Sequence, residues 1–248
     1  MDNQTPTAPV KKPLPLSRKK PYVFNWDRPI KRHPITYMWS IPVADHIVLK
    51  SRFEDRVYTG ADNVPKEGGF LLCSNHVNGF DPITITVGFR GRREMYFMAK
   101  EEFYQAFYTR WALNIWNGFP VNRGKADRDS INYAVRVLKA GFGLLVFPQG
   151  TRDLLGERPS GFKHGAAVIA REAGVPVLPT AVYKIQEPGH KKATIHVRYG
   201  KPITNRELGF SEGRRKAKEV RAATQLIQER VAQLWDLEDQ AYKETHII

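Results

Sequence analysis

Along most of the chain, short apolar runs alternate with longer stretches whose apolar positions recur every three or four residues. The short runs fall at 57–59, 69–74, 95–99, 119–121, 143–147, 175–183 and 193–199, and they read as strands. The longer patterns fall at about 82–88, 101–111, 127–140, 162–173 and 211–242, and they read as helices. In the last of them Val220, Ala223, Ile227, Val231 and Leu234 share one face, which is expected to pack on the core. Such alternation predicts an α/β fold: a single domain with a mixed, mostly parallel sheet flanked by helices.

The beginning of the chain departs from this pattern. Residues 1–34 hold seven prolines and eight lysines or arginines against two aspartates. Proline blocks regular hydrogen bonding and like charges repel, so this stretch is expected to be an extended, mobile tail. Its plain role is to keep the chain in solution. A sharper one is adhesion to anionic lipid, with Tyr22, Phe24 and Trp26 at the headgroup interface. Residues 35–55 are apolar but interrupted by Pro42, Asp45 and His46, too broken to span a bilayer, and read as a membrane-contacting segment. Residues 56–248 form the folded domain. The N-terminus lacks an apolar signal-peptide core, so the expected location is the cytoplasmic side of the membrane, held peripherally.

Charge narrows the partners. Thirty-nine Lys and Arg against 25 Asp and Glu give +14 over 248 residues, which calls for an anionic partner: phosphate esters, an acidic bilayer or nucleic acid. The core shows no regular interleaving of basic and aromatic residues, so nucleic acid is not the expected partner. One cysteine, Cys73, excludes an internal disulfide and a multi-cysteine metal site. No H-E-x-x-H or acidic ladder proposes a metal, and no glycine-rich loop matches a nucleotide-binding pattern.

The stretch CSNHVNGFDP, residues 73–82, joins a buried strand to a helix start, with Asp81 at the expected N-cap and Pro82 at the first helical position. His76 then lies on the connecting loop, and a tight loop can fold Asp81 back onto its ring. The carboxylate would fix the tautomer and leave the other nitrogen free as a base. Alternatively, Asp81 only caps its helix and His76 is an ordinary loop residue. Ser74 and Cys73 sit too close to His76 and lack a nucleophile-elbow sequence, so the hydroxyl that His76 would activate belongs to a substrate.

Three other strand ends carry cations. Lys100 ends the strand in MAKEEF, Arg123 follows GFPVN, and Arg152 follows the turn through Gly150 and Thr151 in FPQGTR. Open α/β sheets bind ligands at such ends, and arginine's planar fork suits a phosphate. Gly150 would admit backbone N–H groups close to an anion, and Thr151 adds a hydroxyl. Lys163 is a further cation at a helix start. His164 beside it reads as a surface residue.

Taken in order, NHVNGFD (75–81), GFPVNR (118–123), FPQGTR (147–152) and VPVLP (175–179) resemble the four sequence blocks of the glycerolipid acyltransferase family, particularly the 1-acylglycerol-3-phosphate acyltransferases. The resemblance covers roughly residues 55–205. It implies that His76 deprotonates a glycerol hydroxyl while Asp81 orients it. The oxygen then attacks the thioester carbonyl of acyl-coenzyme A or acyl-carrier protein, with no acyl-enzyme. Arg123 and Arg152, helped by Lys100, Gly150 and Thr151, would hold the acceptor's phosphate. Asn75 and Gln149 become candidates for positioning the acceptor. The implied partners are lysophosphatidate, the acyl donor and an anionic membrane surface, with no metal and no cofactor beyond the donor. The VPVLP block serves either the core or the acyl-chain path, and Val177 is assigned to the core.

One position departs from the family, which has glutamate where this chain has Gln149. Glutamine keeps a hydrogen-bond acceptor and loses the charge, so the site is expected to stay active and become more positive. Neighbouring readings are acylation of glycerol 3-phosphate or of another lysolipid. A non-enzymatic binder of acidic membranes or nucleic acid has no use for NHVNGFD.

Overall fold

The structure, a computed structural model, describes residues 22–31, 34–90, 92–121, 127–213 and 216–245. Among these residues seven strands and seven α-helices form. They run α1 (Pro34–Val43), α2 (Lys50–Arg52), β1 (Phe53–Thr59), β2 (Phe70–Ser74), α3 (Asp81–Val87), β3 (Met95–Lys100), α4 (Phe107–Ile115), β4 (Gly118–Val121), α5 (Arg128–Lys139), β5 (Gly143–Val146), α6 (Gly165–Ala173), β6 (Val177–Ile185), β7 (Ala193–Tyr199) and α7 (Ala217–Thr245). The strands make one sheet in the order β1-β7-β6-β2-β5-β3-β4. Every neighbouring pair is parallel except β6 with β7.

A strand inside such a sheet is covered on both faces and therefore reads as an unbroken apolar run. β2 shows why. Phe70 and Leu72 enter a core cluster shared with α1 and α3, while Leu71 and Cys73 enter the opposite cluster shared with α5, α6 and α7. The α7 face packs as its spacing predicts: Val220, Ala223, Ile227 and Val231 are buried and Leu234 lies against them. Val177 is fully buried core. Because β6, β2, β5, β3 and β4 all run the same way, their carboxyl ends share one edge. The loops that leave that edge carry the chemistry.

The first described part of the chain is folded against the sheet. Residues 34–52 are helical throughout: α1 passes into a π-helical stretch, Ala44–Leu49, and then α2. The supposed break signals are absorbed there. Pro42 lies inside α1, His46 Nδ1 meets the Pro42 carbonyl at 3.1 Å, and Asp45 pairs with Arg56 at 2.8 Å. Burial of Tyr37, Ile41, Ala44 and Leu49 against the sheet overrides the poor local propensity. The outward face of this helix presents Ile35, Met38, Trp39, Val43 and Ile47 to solvent.

Residues 22–31 also differ from the extended tail expected over 1–34. Phe24 is buried, edge-on to Tyr133 at 5.5 Å and to Tyr104 at 6.0 Å, and Tyr22 and Trp26 pack beside it. Arg136 holds the segment by donating to the Trp26 carbonyl at 2.7 Å. Phe24 is core, and Tyr22 and Trp26 are half-buried against it rather than extended into solvent. The expectation for residues 1–21, 32 and 33 lies outside the described residues.

Candidate active site

β2 is buried along its whole length, and the chain leaves the sheet just beyond it. At Asn75 the side chain acts as a splint. Its Nδ2 donates to the Val182 carbonyl and its Oδ1 accepts the Val182 N–H, both at 2.8 Å. With both polar atoms engaged by β6, Asn75 pins the exit of β2.

His76 follows on the loop and is 8% exposed. Its Nδ1 lies 2.8 Å from Asp81 Oδ2. The same carboxylate oxygen accepts the N–H groups of Val77 at 2.7 Å and Asn78 at 2.8 Å. A carboxylate oxygen only accepts, so Nδ1 is the nitrogen that carries the proton, and in the neutral ring Nε2 keeps the lone pair. Asp81 is the first residue of α3 and not its cap. The N-cap is Phe80, without a side-chain cap bond, and Pro82 occupies the first turn. The Asp81 carboxylate turns back into the loop, so helix capping is not what it does.

The FPQGTRD segment after β5 clamps the same histidine. The Phe147 ring stacks on the imidazole with centroids 4.0 Å apart and planes 16° from parallel. Gln149 Oε1 accepts the His76 backbone N–H at 3.0 Å, and the Asp153 N–H donates to the His76 carbonyl at 2.7 Å. Thus the ring, the amide and the carbonyl of one residue are each held by a different part of one turn. Phe147 opens the FPQGTR block and Asp153 follows it, and the sequence gives neither a task. Their signal was only that they border the quoted block.

The cations are placed unevenly. Arg152 reaches over the histidine loop: a Cβ at Gly79 would stand 3.4 Å from Arg152 Nη1. Gly150 adopts φ +75°, and a Cβ there would meet Lys163 Nζ at 2.9 Å, so this lysine covers the turn. The Lys163 amide also donates to the Pro148 carbonyl at 2.9 Å. Thr151 is exposed, its hydroxyl 3.5 Å from the Arg152 carbonyl. Lys100 ends β3 at the same edge of the sheet, two strands from β2, and pairs with Glu102 at 2.7 Å. Arg123 lies outside the described residues. His164 is exposed, as expected, and meets the Thr224 hydroxyl at 3.1 Å. Cys73 is fully buried, and desolvation pushes its thiol far above the usual range, which removes it as a nucleophile.

A carboxylate-held imidazole with an arginine across its loop, at the carboxyl edge of a mostly parallel sheet, is equipment for moving an acyl group onto a hydroxyl. Residues 55–183, just over half of the chain, match the Acyltransferase family, and the chain belongs to that family as an O-acyltransferase. The 1-acyl-sn-glycerol-3-phosphate acyltransferase of Bacillus subtilis (strain 168) is 27% identical over 197 residues, covering 78% of this chain and 94% of that protein. The enzyme of the same name from Pseudomonas aeruginosa is 28% identical over 138 residues, 54% of this chain and 51% of that one. The crystal structure of the 1-acyl-sn-glycerophosphate acyltransferase from Thermotoga maritima superposes with a TM-score of 0.58 at 25% identity, over 79% of each chain.

Proposed function

We propose that this protein transfers a fatty acyl group from an acyl thioester, acyl-coenzyme A or acyl-carrier protein, to the free hydroxyl of 1-acylglycerol 3-phosphate, giving phosphatidate. The observation that carries the reading is the His76 Nδ1–Asp81 contact at 2.8 Å beneath a loop crossed by Arg152. Its support outside the site is the printed activity of the relatives. Nε2 of His76 takes the hydroxyl proton as the oxygen attacks the thioester carbonyl. The tetrahedral intermediate collapses, the carbon–sulfur bond breaks, and the thiolate leaves with the proton from the imidazolium. Asp81 stabilises the transient cation. Arg152, with Lys163, Lys100, Arg123 and the Gly150–Thr151 turn, holds the acceptor's phosphate.

The reaction takes place at the surface of a membrane, on the cytoplasmic side. No helix among the described residues is long and apolar enough to cross a bilayer. The outward stripe of Ile35, Met38, Trp39, Val43 and Ile47 supplies an amphipathic face that can lie in the interface, supported by the net positive charge.

The test is thiol release from palmitoyl-coenzyme A with and without lysophosphatidate, compared between the parent and His76→Ala. Acceptor-dependent release that disappears in the variant is the expected result. Equal release by both proteins removes the reading.

A further inference from the structure

Two adjacent leucines, Leu154 and Leu155, stand 67% and 82% exposed on the loop that follows FPQGTR. This exposure is built and held. Asp153 Oδ1 accepts the N–H groups of Leu155 at 3.1 Å and Gly156 at 3.3 Å, and Oδ2 accepts that of Glu157 at 2.9 Å. Gly156 turns the chain at φ +74°, a backbone shape that a side chain would strain. The root of the loop is the Asp153 N–H, which bonds the His76 carbonyl at 2.7 Å. The result is a stiff tongue, seated on the histidine, with apolar side chains at its tip.

We propose that Leu154 and Leu155 enter the apolar layer of an anionic bilayer, so that the membrane itself covers the site beside His76. The inference rests on the reading above that the acceptor is a membrane lipid. Its occupant is argued from the surroundings of the tip. Arg152 and Lys163 are exposed beside the turn, and Lys184 lies beneath the loop, its Cβ 3.9 Å from the Cβ position of Gly156. Against these cations stands the exposed carboxylate of Glu157. Apolar side chains bordered by basic ones are the composition of an interfacial anchor. At the same edge of the sheet β3, which pairs with β5, is followed by exposed Phe103 and Phe107. Large apolar groups therefore leave that edge from two neighbouring strands.

Leu155→Cys gives a site for an environment-sensitive nitrobenzoxadiazole label. The native Cys73 is fully buried with its thiol pushed up, so the new cysteine reacts alone. On vesicles of equal phosphatidylglycerol and phosphatidylcholine, the label is expected to shift to the blue, brighten, and be quenched by spin-labelled acyl chains. A silent label on protein that co-sediments with the vesicles overturns the proposal and leaves the membrane reading standing. Failure to co-sediment overturns both. A response to protein concentration without vesicles points to a second copy as the occupant and also overturns it. Unlabelled Leu154→Ser/Leu155→Ser should raise the apparent KM for vesicle-borne lysophosphatidate roughly tenfold. It should leave turnover of a monomeric short-chain lysophosphatidate within about twofold of the parent. Equal losses in the two assays, or a loss in neither, would refute the assignment.

Discussion

The backbone N–H of His76 donates to Oε1 of Gln149 at 3.0 Å, across 73 positions of sequence. The side chain at 149 is therefore an acceptor for the histidine loop, a task that glutamate performs equally well. Gln149→Glu should stay within a few-fold of parental turnover. Gln149→Ala should lower kcat by about 3–10-fold, the worth of one such hydrogen bond. Steady-state rates decide it, and a Gln149→Glu enzyme tens of times faster would show that the neutral amide limits the site.

Removing the base is more severe. His76→Ala should cost on the order of 10²–10⁴-fold in kcat. Asp81→Asn should approach the same loss, because an amide at 81 can stabilise the wrong tautomer. Circular dichroism alongside the rates separates this from misfolding. Full activity of Asp81→Asn would remove the orienting role.

The arginine over Gly79 is expected to grip the acceptor. Arg152→Ala should raise the acceptor's KM roughly tenfold or more with kcat held, and Lys163→Ala should raise it less. A fall in kcat at constant KM would assign Arg152 to the transition state.

Away from the site, Glu238 on α7 is buried and accepts from His196 Nδ1 at 2.8 Å and Arg198 Nε at 2.6 Å. Burial alone raises its pKa, but the two bonds and the adjacent charges outweigh it, and the carboxyl lies below the usual range. As pH falls, the unfolded chain therefore takes up this proton first. The stabilisation is complete above the unfolded value and is lost as pH drops through the folded one. Urea midpoints between about pH 6 and pH 3 should fall less steeply for Glu238→Gln than for the parent.

Phe24→Ala should cost about 3–5 kcal/mol in urea unfolding, because a buried aromatic leaves a cavity between Tyr104 and Tyr133. Deleting residues 1–34 would inflict the same wound. A deletion of residues 1–21 that weakens vesicle binding at low salt, with no loss of stability, would assign a share of the adhesion to the basic stretch.

Strands and most helices were legible because buried parallel strands are apolar runs and α5 to α7 keep a regular stripe. The helix over residues 34–52 was not, because Pro42, Asp45 and His46 break its pattern while the packing of Tyr37 and Leu49 restores it. Tail and core were confused for the same reason: proline and charge dominate the composition around Phe24, which a single aromatic contact network overrules. At the site, spacing left Asp81 as either a helix cap or a partner of His76, and the resemblance of the four blocks pointed to the pair. The Asn75 splint could not be read, since its partner is a backbone 107 residues away. Nor could the stacking of Phe147, which depends on two loops meeting.

Each contact that holds His76 from outside its own loop comes from the turn after β5, which arrives by a crossover, so no fragment that ends before residue 153 can contain the finished centre. Parallel pairing over such separations is slow to form. After dilution from denaturant, turnover should reappear only when the sheet has closed, later than the helical signal. Recovered activity is thus a clock for the last step of folding.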